Sequence, residues 1–148
     1  MRRVLAVVLG IGLALNGLLM LAAPAPWYAA VPGVMQTGPF NPHFVRDIGA
    51  AYLVAGAALA WFAANPQKQP AAQAAAAFLT LHALVHLGDA AAGREHAEEL
   101  LIDLVTVFLP SVLALWIAGR RIKVTREKHD DQMVLATKDR GVRAGMEL

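Results

Sequence analysis

The chain has 148 residues, of which 57% are hydrophobic and 16% are charged, and its mean hydropathy is +0.49. A soluble domain of this length would leave much of that apolar surface in contact with water, so the composition predicts a membrane protein. The absence of cysteine excludes disulfides, iron–sulfur clusters and thiolate metal sites, so any metal ion would need nitrogen and oxygen ligands.

Four apolar stretches, at residues 4–23, 44–64, 71–87 and 100–118, are each long enough to cross a hydrocarbon core of about 30 Å. The first begins after two arginines and ends near Ala23-x-Ala25, a pattern that also occurs in signal peptides. Its apolar run is longer than a signal-peptide core, and Pro26 directly follows the small residues. We therefore expect the first stretch to be a retained helix.

The connections between the stretches differ in length and composition. Residues 24–43 are rich in proline and glycine and carry Trp27 and Tyr28, which predicts an irregular segment on the membrane surface. Residues 65–70 form a short link with a proline near each end, so we expect the second and third stretches to form an antiparallel hairpin. Pro110 predicts a kink in the fourth stretch.

The basic residues determine the predicted orientation. Of the 13 lysines and arginines, all except Arg46 and Arg94 fall on one side of the four stretches. The positive-inside rule then places both the N-terminus and the C-terminus in the cytoplasm. The expected fold is all-α: a four-transmembrane-helix antiparallel bundle at residues 1–119, followed by a polar cytoplasmic tail at residues 120–148. Because topology explains the basic charge, we expect the lipid bilayer and no nucleic acid as a partner.

The unusual polar residues gather at the opposite, outer end of the predicted bundle. They occur where the second stretch begins, the third ends and the fourth begins: His43, Arg46, Asp47, His82, His86 and Asp103. Antiparallel crossing brings these three segments to a similar depth. Ionisable groups at membrane depth cost several kcal/mol unless they are paired or hydrated, so we expect them to face the interior of the bundle.

The sharpest interpretation of this cluster is a metal site. His82 and His86 lie one helical turn apart and share a helix face. With carboxylates from neighbouring helices they suit Zn²⁺, Fe²⁺, Mn²⁺ or Cu²⁺, and we expect His82, His86, Asp47 and Asp103 as ligands, with His43 as an alternate ligand. Arg46 and His43 are the candidate catalytic residues, in hydrolytic or redox chemistry. The spacing does not decide whether the protein is an enzyme.

Other functions fit the same residues. A satisfied polar network would fix the helix packing in a non-catalytic accessory or assembly subunit of a larger membrane complex, or in a homo-oligomer. A proton-coupled transporter with a histidine and aspartate relay is a third hypothesis. Haem, held by His43 and His86, is a minor alternative cofactor. The remaining charged residues near this end are expected to lie in a solvated loop: Asp89, Glu95, His96, Glu98 and Glu99.

Two runs of sequence carry a family resemblance. Residues 43–53, which read His-Phe-Val-Arg-Asp-Ile-Gly-Ala-Ala-Tyr-Leu, and residues 81–89, which read Leu-His-Ala-Leu-Val-His-Leu-Gly-Asp, resemble small bacterial four-helix membrane proteins grouped as DoxX-like. The resemblance covers residues 4–119 and rests on size and helix layout. It implies a bundle fold in a bacterial inner membrane and transfers no catalytic residue.

Overall fold

The computed structural model describes residues 1–94 and 97–119, without the side chain of Ala97. Glu95, His96 and the predicted cytoplasmic tail at residues 120–148 lie outside the described residues. The described helices are α1 (Arg2–Ala22), α2 (Pro24–Ala30), α3 (Pro42–Ala64), α4 (Gln69–Ala91), α5 (Ala97–Asp103) and α6 (Leu109–Ala118). Short 3₁₀ turns occur at Val34–Thr37 and Pro66–Lys68, a π-helical turn occurs at Leu104–Phe108, and no β-strand occurs in these ranges.

Within the part of the chain that the structure describes, four helices are long and apolar enough to cross a membrane, as the sequence predicted. They are α1, α3, α4 together with the turn before it, and a fourth span that runs through α5, the π-helical turn and α6. Many of their large apolar side chains are exposed, including Val8, Ile11 and Val54. Such surfaces require lipid around them, so the protein is a multi-pass membrane protein.

Glycine pairs bring α1 and α3 into backbone contact. A Cβ atom added to Gly17 would lie 2.5 Å from the backbone oxygen of Gly49, and one added to Gly56 would lie 2.5 Å from the backbone oxygen of Gly10. Only residues without a side chain allow two helices to approach this closely. The pairing of 10 with 56 and 17 with 49 shows that α1 and α3 run antiparallel.

The bundle has two ends, named here by their connections. The hairpin end contains the Pro66–Lys68 turn between α3 and α4, and the loop end contains the segment between α1 and α3. At the hairpin end, Arg3 Nε donates to the backbone oxygen of Ala63 at 2.7 Å, and Arg2 donates to the backbone oxygen of Ile117. These arginines satisfy carbonyl groups at the C-terminal ends of α3 and α6, where helices leave acceptors without intrahelical partners.

The segment between α1 and α3 is more regular than its composition predicted. Residues 24–30 form α2, so the prediction of an irregular segment is wrong there. Pro24 and Pro26 occupy the first turn of α2, where a helix needs no backbone N–H donor, and this position tolerates proline. Trp27 of α2 donates its indole N–H to Asn16 Oδ1 of α1 at 2.9 Å, which ties α2 to the end of α1.

The fourth span changes its helical geometry around Pro110. Because Pro110 has no backbone N–H, it cannot donate to the carbonyl of Thr106, and its ring would crowd that carbonyl in a regular α-helix. The π-helical turn at Leu104–Phe108 widens the helix at this place. The turn begins directly after Asp103.

Candidate functional site

A short hydrogen bond joins two ionisable side chains from different spans. His86 Nδ1 of α4 lies 2.5 Å from Asp103 Oδ2 of α5, and the two side chains are 22% and 14% exposed. Hydrogen bonds in which the imidazole or the carboxylate is ionised are shorter and stronger than bonds between neutral groups. The pair fixes the imidazole orientation and links α4 to the fourth span in the half of the bundle nearer the loop end.

The His82 ring lies one turn deeper along α4 than the His86 ring. The two ring centroids are 4.9 Å apart, with an angle of 67° between the ring planes. On its other sides His82 contacts Tyr52 of α3, at a centroid distance of 5.6 Å, and Phe78 of α4, at 6.1 Å. Asp103, His86 and His82 therefore lie in a row along α4, and the deeper histidine, His82, packs against the aromatic rings of Tyr52 and Phe78.

Tyr52 completes this site from α3. Its ring meets the Phe78 ring edge to face at a centroid distance of 5.4 Å and the His82 ring at 5.6 Å. Tyr52, His82, His86 and Asp103, called the inner cluster below, thus come from three spans. The structure brings together three of the four predicted metal ligands.

Asp47, the fourth predicted ligand, lies at a different surface. Its carboxylate is 3.4 Å from Nε2 of His43, and the two side chains are 62% and 86% exposed. Val45 and Gly49 are buried, and Asp47 lies two residues from each of them along α3. Two residues correspond to about 200° around the helix axis, so Asp47 lies on nearly the opposite side of α3 from both. The helix phase of α3 therefore directs Asp47 away from α1 and toward the bundle exterior.

The two predicted catalytic residues also lie at the start of α3. His43 forms the exposed pair with Asp47, and Arg46 Nε donates to the backbone oxygen of Leu21 at the end of α1, at 3.3 Å. Neither is hydrogen-bonded to the inner cluster through the contacts described. Their catalytic role stays a prediction.

The other loop-end charges are in part ordered by helices. Asp89 lies in α4, which continues to Ala91, and it accepts a bond of 2.6 Å from Arg94. Glu98 and Glu99 occupy the first turn of α5, where negative charge interacts favourably with the helix dipole. The prediction of a loop is therefore wrong for Asp89, Glu98 and Glu99.

The inner cluster contains few side chains that could ligate a metal ion. Across residues 1–94 and 97–119, no group of three or more histidine, aspartate or glutamate side chains is positioned to hold a metal ion. One carboxylate oxygen of Asp103 is hydrogen-bonded to His86 Nδ1. The candidate metal ligands of the inner cluster are then the imidazoles of His82 and His86, whose ring centroids are 4.9 Å apart. Metal binding stays a prediction.

Sequence reasoning missed Tyr52 and Phe78 as neighbours of the histidines. Tyr52 lies ten residues after the start of α3, about 15 Å along the helix, and His82 lies nine residues before the end of α4, about 14 Å along it. An interfacial anchor does not explain a tyrosine hydroxyl at the centre of a span. The position of Tyr52 at the centre of an apolar span was therefore the sequence feature that could have indicated a role beside the histidines.

Comparisons with protein-family models, with curated proteins and with solved structures find no match for this chain.

Proposed function

We propose that the protein binds a divalent transition metal ion through His82 and His86, in the outer half of a four-span bundle of the bacterial inner membrane. The single observation that carries the proposal is the 2.5 Å contact between His86 Nδ1 and Asp103 Oδ2. A histidine that ligates a metal commonly donates its other ring N–H to a carboxylate, which fixes the ring and makes the ligating nitrogen more basic.

This contact changes the role proposed for Asp103. The sequence suggested a direct ligand, whereas the hydrogen bond supports a carboxylate that orients His86, which would ligate the metal through its other ring nitrogen. His82, with its ring centroid 4.9 Å from that of His86, would supply the second imidazole. Imidazole nitrogen suits Zn²⁺, Fe²⁺, Mn²⁺ and Cu²⁺.

Two imidazoles leave coordination positions open. Water or a substrate in an open position is the arrangement of a catalytic rather than a purely structural metal site. A metal held there would activate bound water for hydrolysis or support redox chemistry.

The proposed orientation follows from the basic residues of the hairpin end. Arg2, Arg3 and Lys68 all lie there, and the positive-inside rule assigns such an end to the cytoplasm. The inner cluster is then nearer the periplasm. The resemblance to DoxX-like proteins supports the bacterial inner membrane.

Elemental analysis of the purified protein tests the proposal. The wild type, reconstituted with each candidate metal and desalted, should retain close to one metal ion per chain, and His82→Ala/His86→Ala should retain almost none. His43→Ala is the matched control, because His43 is an exposed histidine in a different pair, and it should retain the wild-type amount. Equal retention by the double variant and the wild type, or no retention by the wild type, would refute the metal site.

A second candidate function has its own supporting observation. The His86–Asp103 bond joins α4 to the fourth span directly and satisfies both groups without a ligand. A polar contact of this kind stabilises helix packing in membrane bundles. We propose as the alternative a non-catalytic accessory or assembly subunit, which predicts no stoichiometric metal and co-purification with another membrane protein.

A further inference from the structure

An open groove lies along the seam between α3 and α4. It has a volume of about 360 Å³ and is lined almost wholly by apolar atoms, including those of Ala50, Ala51 and Ala58 of α3 and Ala74 and Phe78 of α4. Alanines leave this space because they are too large to allow the backbone contact seen between α1 and α3 and too small to fill the seam. The volume falls in the range of about 300–1,000 Å³ that is typical of ligand clefts.

The position of the groove in the span selects the kind of occupant. Ala50 and Ala58 lie about 12 Å and 24 Å along α3 from its first residue, Pro42, which is the level of the acyl chains in a bilayer. The lining offers almost no polar atoms to hold a polar molecule. A hydrocarbon chain matches both conditions.

The groove also leads to charged residues at the loop end. Asp47 precedes Ala51 by four residues and Ala50 by three, so it lies on the same face of α3. His43 precedes Asp47 by a further turn and contacts its carboxylate at 3.4 Å. Both side chains are exposed, at the level where a lipid headgroup would lie above a chain in the groove.

We propose that the α3–α4 groove binds one acyl chain of a lipid whose ammonium-bearing headgroup contacts Asp47. The carboxylate of Asp47 offers the negative charge that an ammonium group requires. The chain would pass along Phe78, whose other contacts are Tyr52 and His82. This proposal does not depend on metal binding.

Photolabelling in micelles of the uncharged detergent dodecyl maltoside, which carries no ammonium group, tests the site. The probe is a phosphatidylethanolamine with a diazirine in one acyl chain, and mass spectrometry locates the labelled residues. Labelling of groove-lining residues such as Ala50, Ala58 and Phe78 should saturate with probe concentration and fall when unlabelled phosphatidylethanolamine is added. Labelling of the exposed face of α1, at Val7 and Ile11, should rise linearly and resist competition.

Matched variants separate a built site from an ordinary lipid-facing surface. Ala58→Leu/Ala74→Leu fills the groove and should reduce saturable labelling at least about threefold, because the chain loses its packing contacts. Ala57→Leu/Ala77→Leu makes the same substitutions at exposed positions of the same two helices and should leave labelling unchanged. Linear, uncompeted labelling of the groove in the wild type, or crosslinks to a second copy of the chain, would overturn the proposal.

The variant Asp47→Asn tests the proposed contact between Asp47 and the lipid headgroup. This variant should weaken competition by phosphatidylethanolamine about two- to fivefold, as expected for one exposed ion pair, and leave competition by phosphatidylglycerol unchanged. Equal competition by the two lipids in the wild type would overturn the assignment of the headgroup. Metal retention by the groove-filled variant should equal that of the wild type, so a failure of either proposal can be recognised separately.

Discussion

Replacing Gly17 by alanine should weaken the contact between α1 and α3. The added Cβ would lie 2.5 Å from the backbone oxygen of Gly49 and 2.6 Å from the backbone nitrogen of Leu53. Both atoms belong to the helix backbone, so the clash cannot be relieved by turning a side chain, and the two helices must move apart.

The magnitude follows from two opposing effects. Overpacking a close contact costs about 1–3 kcal/mol, and a backbone clash belongs in the upper part of that range. Alanine also improves helix propensity over glycine by up to about 1 kcal/mol. We expect the free energy of unfolding of Gly17→Ala to fall by about 1–2 kcal/mol.

Gly12→Ala is the matched control, since Gly12 lies in the same helix and its added Cβ would have no atom within 4 Å. The helix propensity changes equally in both variants, so the difference between them isolates the packing cost. The measurement is reversible unfolding in mixed micelles with increasing dodecyl sulfate, followed by circular dichroism. If the two variants agree within about 0.5 kcal/mol, the size of an ordinary surface effect, the glycine contact between α1 and α3 does not exist as described.

Three further predictions concern single side chains. Asp103→Asn should raise the Kd for the metal about 10–100-fold while the helix content stays constant, because His86 loses its carboxylate acceptor, and competition with a chelator measures this change. Trp27→Phe should lower the free energy of unfolding by about 1 kcal/mol, since Asn16 loses its indole donor, and the same micelle titration measures it. Asp47→Asn should leave metal retention unchanged in elemental analysis, because Asp47 is paired at the surface; a large loss would restore it as a ligand.

The inner cluster was only partly accessible to sequence reasoning. The four-residue spacing of His82 and His86 gave their shared face, because the α-helix has a fixed period. For His86 and Asp103 the sequence predicted only that the two side chains lie at a similar depth in the membrane, and it did not predict that they are in contact. Whether two groups at one depth touch depends on how each helix is rotated about its axis, and no local pattern fixes that rotation.

Asp47 illustrates the same difficulty. Its depth and its position in a polar run made it a reasonable ligand, yet the glycines of α3 contact α1 and set the rotation of α3, which directs Asp47 outward. Tyr52 is the converse case. The same rotation places it beside His82, although it stands in an apolar stretch with no polar neighbour in sequence.

The sequence by itself determined that residues 1–119 hold four stretches long and apolar enough to cross a membrane, because span length and hydropathy are local properties. It also determined which residues were chemically unusual. The tertiary structure decided which of them meet, since contact between helices depends on the rotation of each helix and on the separation that glycine or alanine allows. It also left the groove between α3 and α4, which arises from two helices together.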